Sequence, residues 1–229
     1  MKDFFAGNPV SRDYRAMADK LCQPQMERLV VIYLIYTLII IFSVVSSLIF
    51  QTESTRFISS IGSVLGSICT FAFAFSSINI AKNEYLGIEV KTDDLFYGFN
   101  HFTRALCVNA LVRLYTILWF LIPVVGPFIA AVKICSYSMA TYIAIDNPKL
   151  GYNECITKSR EMMNRNKWKY FCLSASYIGW IVLSLLTFGI LLLWIYPKIQ
   201  QAKFLFYLKV SGIGLQVELA RERLKETNK

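Results

Sequence analysis

The stretch YFCLSASYIGWIVLSLLTFGILLLWIYPKIQQAKFLFYL, residues 170–208, decides the fold. It holds no acidic residue, and its first charge is Lys198. A bilayer core about 30 Å thick needs roughly 20 apolar helical residues, because only intrahelical hydrogen bonds satisfy a backbone that water cannot reach. Residues 170–196 are therefore readable as one overlong tilted span, or as two helices broken near Thr187, Phe188 and Gly189. In the second reading the final helix continues through Lys198 and Lys203 to about Leu208.

Charge chooses between them. With six spans, the inward segments carry five Lys and Arg before Leu29, three in residues 82–104, six in residues 146–169 and seven after Pro197, while the outward segments hold only Arg56. Five spans would export the seven cations of the C-terminal segment, against the cytoplasmic excess of Lys and Arg usual in membrane proteins. Six crossings with both termini inside follow.

The upstream spans are residues 29–50, 57–81, 105–122 and 128–145. Lys82, Asn83 and Glu84 close the second, and Pro123, Val124, Val125, Gly126 and Pro127 form a hairpin turn between the third and fourth. The composition agrees: of 229 residues 55% are hydrophobic and only 17% charged, which excludes an ordinary water-soluble globule. The net charge of +9 flanks the apolar runs instead of forming one solvated face, so it argues for a membrane and against nucleic acid. Charged residues interrupt any signal-peptide core in the first 28 residues, so the first apolar run is expected to stay in the protein. His101 is the one histidine, and the six cysteines contain no CxxC pair, so neither a metal site nor a cofactor is expected. The cysteines are expected to be reduced.

The expected fold is thus all-α: a polytopic membrane protein of six transmembrane helices in three antiparallel hairpins, with short cytoplasmic interfacial helices. Residues 1–28 form a cytoplasmic amphipathic segment, residues 29–208 the six-helix transmembrane domain and residues 209–229 a basic cytoplasmic tail. In the first segment, Tyr14, Met17, Ala18, Leu21 and Cys22 recur at helical spacing behind Ser11 as N-cap, predicting a helix in the membrane interface. A second interfacial segment, capped by Asp93, carries Leu95, Phe96, Tyr97 and Phe99. A third has an apolar stripe of Cys155, Ile156, Ser159, Met162 and Met163, and Trp168 beside it is a membrane-boundary anchor. Ser59, Gly62, Ser63, Gly66, Ser67 and Thr70 form a small-residue stripe on the second span, suited to close helix packing.

Arg113, Lys133 and Lys198 place one cation in each of the third, fourth and sixth spans. Counted from the inner ends they lie at roughly 12, 18 and 15 Å of helical rise, a shared depth. A charge at the centre of a membrane helix costs about 2.5 to 3.5 kcal/mol, which favours facing protein, water or a counterion. No Asp or Glu lies in the spans, so a relay of buried carboxylates is disfavoured, and the expected counterion is the phosphate or carboxylate of a lipid-like ligand. Asn109, Ser136 and Tyr137 are the expected hydrogen-bond donors beside the cations. The bland alternative has Arg113 and Lys198 snorkelling to water, Lys133 on backbone carbonyls and the last helix shifted toward the cytoplasm.

The segments MMNRNKWKYFCLSASYIGW (residues 162–180) and TFGILLLWIYPKIQQAKFLFY (residues 187–207) resemble the bacterial membrane family catalogued as domain of unknown function nine-seven-five. LFYGF at residues 95–99 and KICSYSMATYIAIDNP at residues 133–148 look similar to it as well, so the resemblance covers roughly residues 80–208. Members often carry Pro-Gly after the third span, where this chain has the altered break 123–127. The resemblance implies a bacterial plasma-membrane protein and transfers no reaction. The expected function is non-catalytic: binding or moving an anionic lipid-like ligand, or supporting an envelope-stress system. The alternatives are a membrane subunit of a multiprotein transporter, docking a cytoplasmic protein partner around Asn153 to Asn164, and a lipid-modifying enzyme. No catalytic residue is assigned, and the sequence leaves the oligomeric state open.

Overall fold

The structure, a computed structural model, describes residues 4–5, 7–49, 56–120, 126–187, 189–214 and 216–219. Among the described residues every regular element is helical. The order is α1 (Ser11–Cys22), a 3-10 turn at Gln23–Gln25, α2 (Met26–Ile49), α3 (Arg56–Leu86), a second 3-10 turn at Thr92–Phe96, and α4 (Tyr97–Asn100). It continues with α5 (Phe102–Phe120), α6 (Gly126–Tyr137), α7 (Ala140–Asp146), α8 (Tyr152–Met162), α9 (Lys167–Ala175), α10 (Ile178–Leu186) and α11 (Ile190–Ser211). The all-α expectation holds. Two helical stretches, Ser11–Ile41 and Lys167–Leu186, are long and apolar enough to cross a membrane by length and composition. All six cysteines are unpaired.

The deciding stretch is broken where its glycine allows. α10 stops at Leu186, Gly189 takes a left-handed φ of 83°, and α11 starts at Ile190. The Ser184 carbonyl accepts from the Gly189 N–H at 2.8 Å and the Thr187 N–H at 3.2 Å, which occupies a carbonyl that a continuing helix would have used. Two further breaks depart from the expected spans: residues 128–145 divide into α6 and α7 at Ser138 and Met139, and α9 is separated from α10 at Ser176 and Tyr177. At each a serine hydroxyl donates back three residues, Ser138 to the Cys135 carbonyl at 2.8 Å and Ser176 to the Leu173 carbonyl at 2.7 Å. Such bonds compete with the helical ladder.

At its C-terminal end α3 overruns the expected boundary and carries Glu84 into the core, with Lys82 and Asn83 half-buried beside it. Lys82 pairs with Asp146 at 2.7 Å, and Asn83 donates to Asp94 at 3.2 Å. Arg104 closes the end of α7, its guanidinium donating to the carbonyls of Ala144 (2.8 Å), Asn147 (2.7 Å) and Leu150 (3.0 Å). One planar fork thereby satisfies carbonyls that the end of a helix leaves open.

The three segments expected at the membrane interface bury most of their apolar side chains on protein, with Phe96 of the second left exposed. Tyr14, Ala18, Leu21 and Cys22 of α1 are buried, with the Tyr14 ring 5.6 Å from that of Phe206 on α11. The apolar stripe is satisfied by α11 and does not need the headgroup region. Its N-cap is Val10, one residue before Ser11, and the Asp13 carboxylate accepts from the Val10 N–H at 2.9 Å. In the second segment Leu95 is buried, Phe99 packs on Phe73 at 5.5 Å and Tyr97 stacks on Phe75, both partners belonging to α3. Asp94, and not Asp93, accepts from the Lys91 N–H at 2.9 Å. In α8, Cys155, Ile156 and Ser159 are buried, and Ser159 donates to the Ser136 carbonyl at 2.8 Å. The apolar stripe of α8 thus faces its own core, leaving Glu154, Lys158, Arg160 and Glu161 exposed.

Burial is concentrated around the second half of α11. α11 from Ile195 to Leu208 runs through the main core, together with residues of α1, α3, α5, α7 and α8. Leu34 and Leu38 of α2, Leu114, Ile117 and Leu118 of α5, and Leu185 and Leu186 of α10 remain exposed. The side chains of Ser59, Gly62, Ser63 and Ser67, and the turn residues Pro123, Val124 and Val125, lie outside the described residues.

Candidate functional site

The expected single cluster of cations is divided. The Arg113 guanidinium lies 4.4 Å over the ring of Phe71 on α3, and the Lys133 ammonium lies 4.7 Å over the ring of Trp119 on α5. Each lies over an aromatic ring, whose negative face attracts the cation. Lys133 thus meets a ring where backbone carbonyls were the bland expectation. Lys198 instead pairs with Asp19 of α1 at 2.8 Å. The expected donors also bond locally: Asn109 to the Ala105 carbonyl at 2.8 Å and Ser136 to the Val132 carbonyl at 3.0 Å. In an apolar surrounding the carbonyl four residues back is the nearest acceptor for a short side chain. Tyr137 is buried with its ring 6.2 Å from that of Tyr115.

Lys198 is the one member of the expected set that lines a cavity of about 340 Å³, formed where α1 lies across α10 and α11. α1 supplies Arg12, Arg15, Ala16 and Asp19, the end of α9 and the start of α10 supply Tyr177 and Trp180, and α11 supplies Ile195 and Lys198. Arg12, Arg15 and Asp19 recur at three- and four-residue intervals, so they share one face of α1, beside the stripe that docks it on the core, and line the cavity. The break after α9 matters here, because the Ser176 carbonyl at that break accepts from Arg15 Nη1 at 3.2 Å. This bond ties α1 to the kink across 161 residues of sequence.

Three cations face one carboxylate, leaving two positive charges in excess. The Asp19–Lys198 pair is half-open to solvent, with side chains 50% and 32% exposed, so it contributes little to stability and yields readily to a competing anion. Arg15 Nε and the Tyr177 hydroxyl lie behind the cavity wall, buried and with no hydrogen-bond partner among the described residues; buried donors left unmet cost about 1 to 3 kcal/mol each.

A second cavity, about 630 Å³, lies between α2 and α11 and has no charged lining residue. Tyr33, Tyr36, Leu38, Ile41, Leu193 and Tyr196 are among its walls. It offers shape and apolar surface without a charge to recognise.

Residues 124–213 match the family model described as Protein of unknown function (DUF975). This is the family that the sequence resembles. The DUF975 segment takes in α6 to α11, and therefore Tyr177, Trp180, Ile195 and Lys198, whereas Arg12, Arg15 and Asp19 lie outside it, as does LFYGF at residues 95–99. No curated protein and no solved structure matches the chain.

Sequence reading found Lys198 but missed Arg12, Arg15 and Tyr177. The signal for the arginines was present as the polar face of an amphipathic helix, whose target is not written in the helix. Tyr177 lies inside an apolar run, and the serines on either side of Ala175 were the only hint of a kink there.

Proposed function

We propose that this chain is a bacterial plasma-membrane protein that crosses the bilayer six times, keeps both termini on the cytoplasmic side, and binds an anionic amphiphile in the cavity between α1, α10 and α11. It has no catalytic centre of its own in this reading. The observation that carries it is the excess of cations, Arg12, Arg15 and Lys198 against Asp19, that line one cavity. The apolar side chains exposed on α2, α5 and α10 support the bilayer as surroundings, since a contiguous apolar surface in water would drive association. Discontinuous helices such as α6–α7 and α9–α10 are found where membrane proteins line a cavity.

Purification in a mild detergent followed by mass spectrometry of retained lipids tests this reading. Anionic lipid should co-purify at about one molecule per chain and be enriched over its share of the membrane. The Arg12→Gln, Arg15→Gln double variant should lose that enrichment while keeping its gel-filtration profile. Retained lipid of bulk composition in both proteins overturns the ligand assignment. Topology has its own check. A cysteine introduced as Lys225→Cys, in a background without the native thiols, should react with an impermeant maleimide only after the cells are opened. Reaction in intact cells overturns six crossings.

A further inference from the structure

We propose that residues 213–219 form a releasable clasp, which seats on the end of α3 and fastens the segment of chain that leads into α1. Its position follows from the way α11 ends. Gly212 is the C-cap and takes a left-handed φ of 73°, so the chain leaves the helix axis there. Gly214 and residues 216–219 are helical again, with Gly214 and Glu218 buried four residues apart on one face and Gln216 and Leu219 exposed.

The buried face meets one socket. The Tyr85 hydroxyl of α3 donates to Glu218 Oε2 at 2.6 Å, and Tyr85 is itself fully buried, its ring 6.0 Å from that of Phe204 and 6.4 Å from that of Phe5. Gly214 lies so close to the Phe5 ring that a Cβ built on it would stand 2.6 Å away. Before the Gly212 turn, Lys209 donates to the carbonyl of Phe5 and, at 2.8 Å, to that of Gly7. Phe5 is therefore held twice, by Lys209 ahead of the turn and by Gly214 after it. Phe4 passes the hold to α1, its ring 5.2 Å from that of Tyr14. Since α1 carries Arg12, Arg15 and Asp19, closure of the clasp steadies one wall of the cavity, whatever that cavity binds.

The same residues make the closure reversible. α1 docks through Tyr14, Ala18, Leu21 and Cys22, all buried, whereas the clasp buries a glycine and a carboxylate, and its apolar Ile213 and Val217 are only half-buried. Apolar burial, the main source of docking energy, is thus small. The bond to Tyr85 is charge-assisted, but the carboxylate gives up its hydration to make it, so the gain over a released and solvated segment is modest. Segments with few buried apolar contacts open without unfolding of the whole chain.

Two measurements on the purified full-length protein in mild detergent test the clasp: hydrogen exchange, and acylation of Lys209 by an N-hydroxysuccinimide ester, with Lys82, paired with Asp146, as internal reference. In the wild type, residues 213–219 should exchange about a hundredfold or more faster than residues 195–208 of α11, at a rate independent of protein concentration. Tyr85→Phe and Glu218→Ala each remove one partner of the buried bond. Each should raise exchange of residues 213–219 and acylation of Lys209 about tenfold, and leave residues 195–208 and Lys82 within about twofold. Gly214→Ala should do the same from the Phe5 side, with both partners of that bond intact. Exchange of residues 213–219 at the rate of α11 in the wild type makes them a fixed part of the core and overturns the clasp. Lys209 acylation unchanged in all three variants overturns the fastening of the segment ahead of α1. Protection that grows with protein concentration seats residues 213–219 on a second copy and overturns closure within one chain.

Discussion

Replacing Gly98 by alanine should destabilise the fold by about 3 to 5 kcal/mol, the range of a severe overpacking change at a buried site. Gly98 lies in α4, and a Cβ built on it would stand 1.9 Å from the Ala72 carbonyl oxygen of α3, with the Ala72 carbonyl carbon and Cα both within 3 Å. These are backbone atoms, so no rotamer change relieves the clash. The Gly98 N–H also donates to Ser76 Oγ at 2.8 Å, and that hydroxyl in turn donates to the Ala72 carbonyl at 3.1 Å. A methyl group would therefore pry α4 off α3 and strand the fully buried Ser76 hydroxyl. Thermal unfolding in detergent provides the measurement, with Ser76→Ala as reference for the hydrogen bond alone, about 1 kcal/mol. A Gly98→Ala protein no less stable than Ser76→Ala would mean that α4 does not lie this close to α3.

Stability should also fall as pH rises from about 4.5 to about 7, and Glu84→Gln should abolish that slope. Glu84 of α3 is 4% exposed, and among the described residues its Oε1 has no hydrogen-bond partner and no cation is paired with it. The Cys22 thiol of α1 hydrogen-bonds the carboxyl. With its amide nitrogen turned toward them, Gln201 of α11 donates to Glu84 Oε2 at 3.1 Å and to the Ala81 carbonyl at 2.9 Å. Tyr33 on α2 is within electrostatic reach, while the neighbouring charges Lys82 and Asp146 are committed to each other.

Burial pushes the Glu84 carboxyl up from its ordinary 4.5 to about 7, and the Cys22 bond offsets only part of this. Between those values the folded chain holds a proton that the unfolded chain has released, so raising the pH favours unfolding. The effect is complete above pH 7 and amounts to about 3 kcal/mol, at 1.36 kcal/mol for each unit between the two values. Chemical denaturation at pH 5 and pH 8 should thus show the wild type weaker at pH 8, and Glu84→Gln nearly equal at both. A variant that keeps the wild-type slope would place the titrating group elsewhere. The sequence placed Glu84 in a cytoplasmic connection because a charge conventionally ends an apolar run. α3 carries it one turn further, into the junction of α1, α3 and α11.

The same contrast runs through the molecule. Gly189 punctuated an apolar run too long for one crossing, and the chain breaks there because glycine enters the left-handed region without strain. The breaks at Ser138 and Ser176 were not legible, since serine inside a helix more often bonds within an unbroken ladder. The stripes on α1 and α8 were read correctly as apolar faces and wrongly as membrane-facing ones. Periodicity tells that a face will be covered, and it is silent on whether lipid or another helix covers it. Arg113 and Lys133 show the limit on the polar side. Each has an aromatic partner in three dimensions that spacing along one helix cannot reveal.

By itself the sequence determined what depends on sums and runs along the chain: an all-helical protein, apolar stretches of membrane length, a break at Gly189 and an excess of cations on the proposed inner side. These follow from the hydrogen-bonding demand of the backbone and the cost of moving charge into an apolar medium, both local properties. The tertiary structure alone decided that Arg12 and Arg15 meet Tyr177 and Lys198 around one space. That meeting depends on α1 packing across α11 and on a kink that leaves the Ser176 carbonyl open to Arg15. Contacts between groups some 160 residues apart are set by how whole helices pack, and no local pattern encodes them.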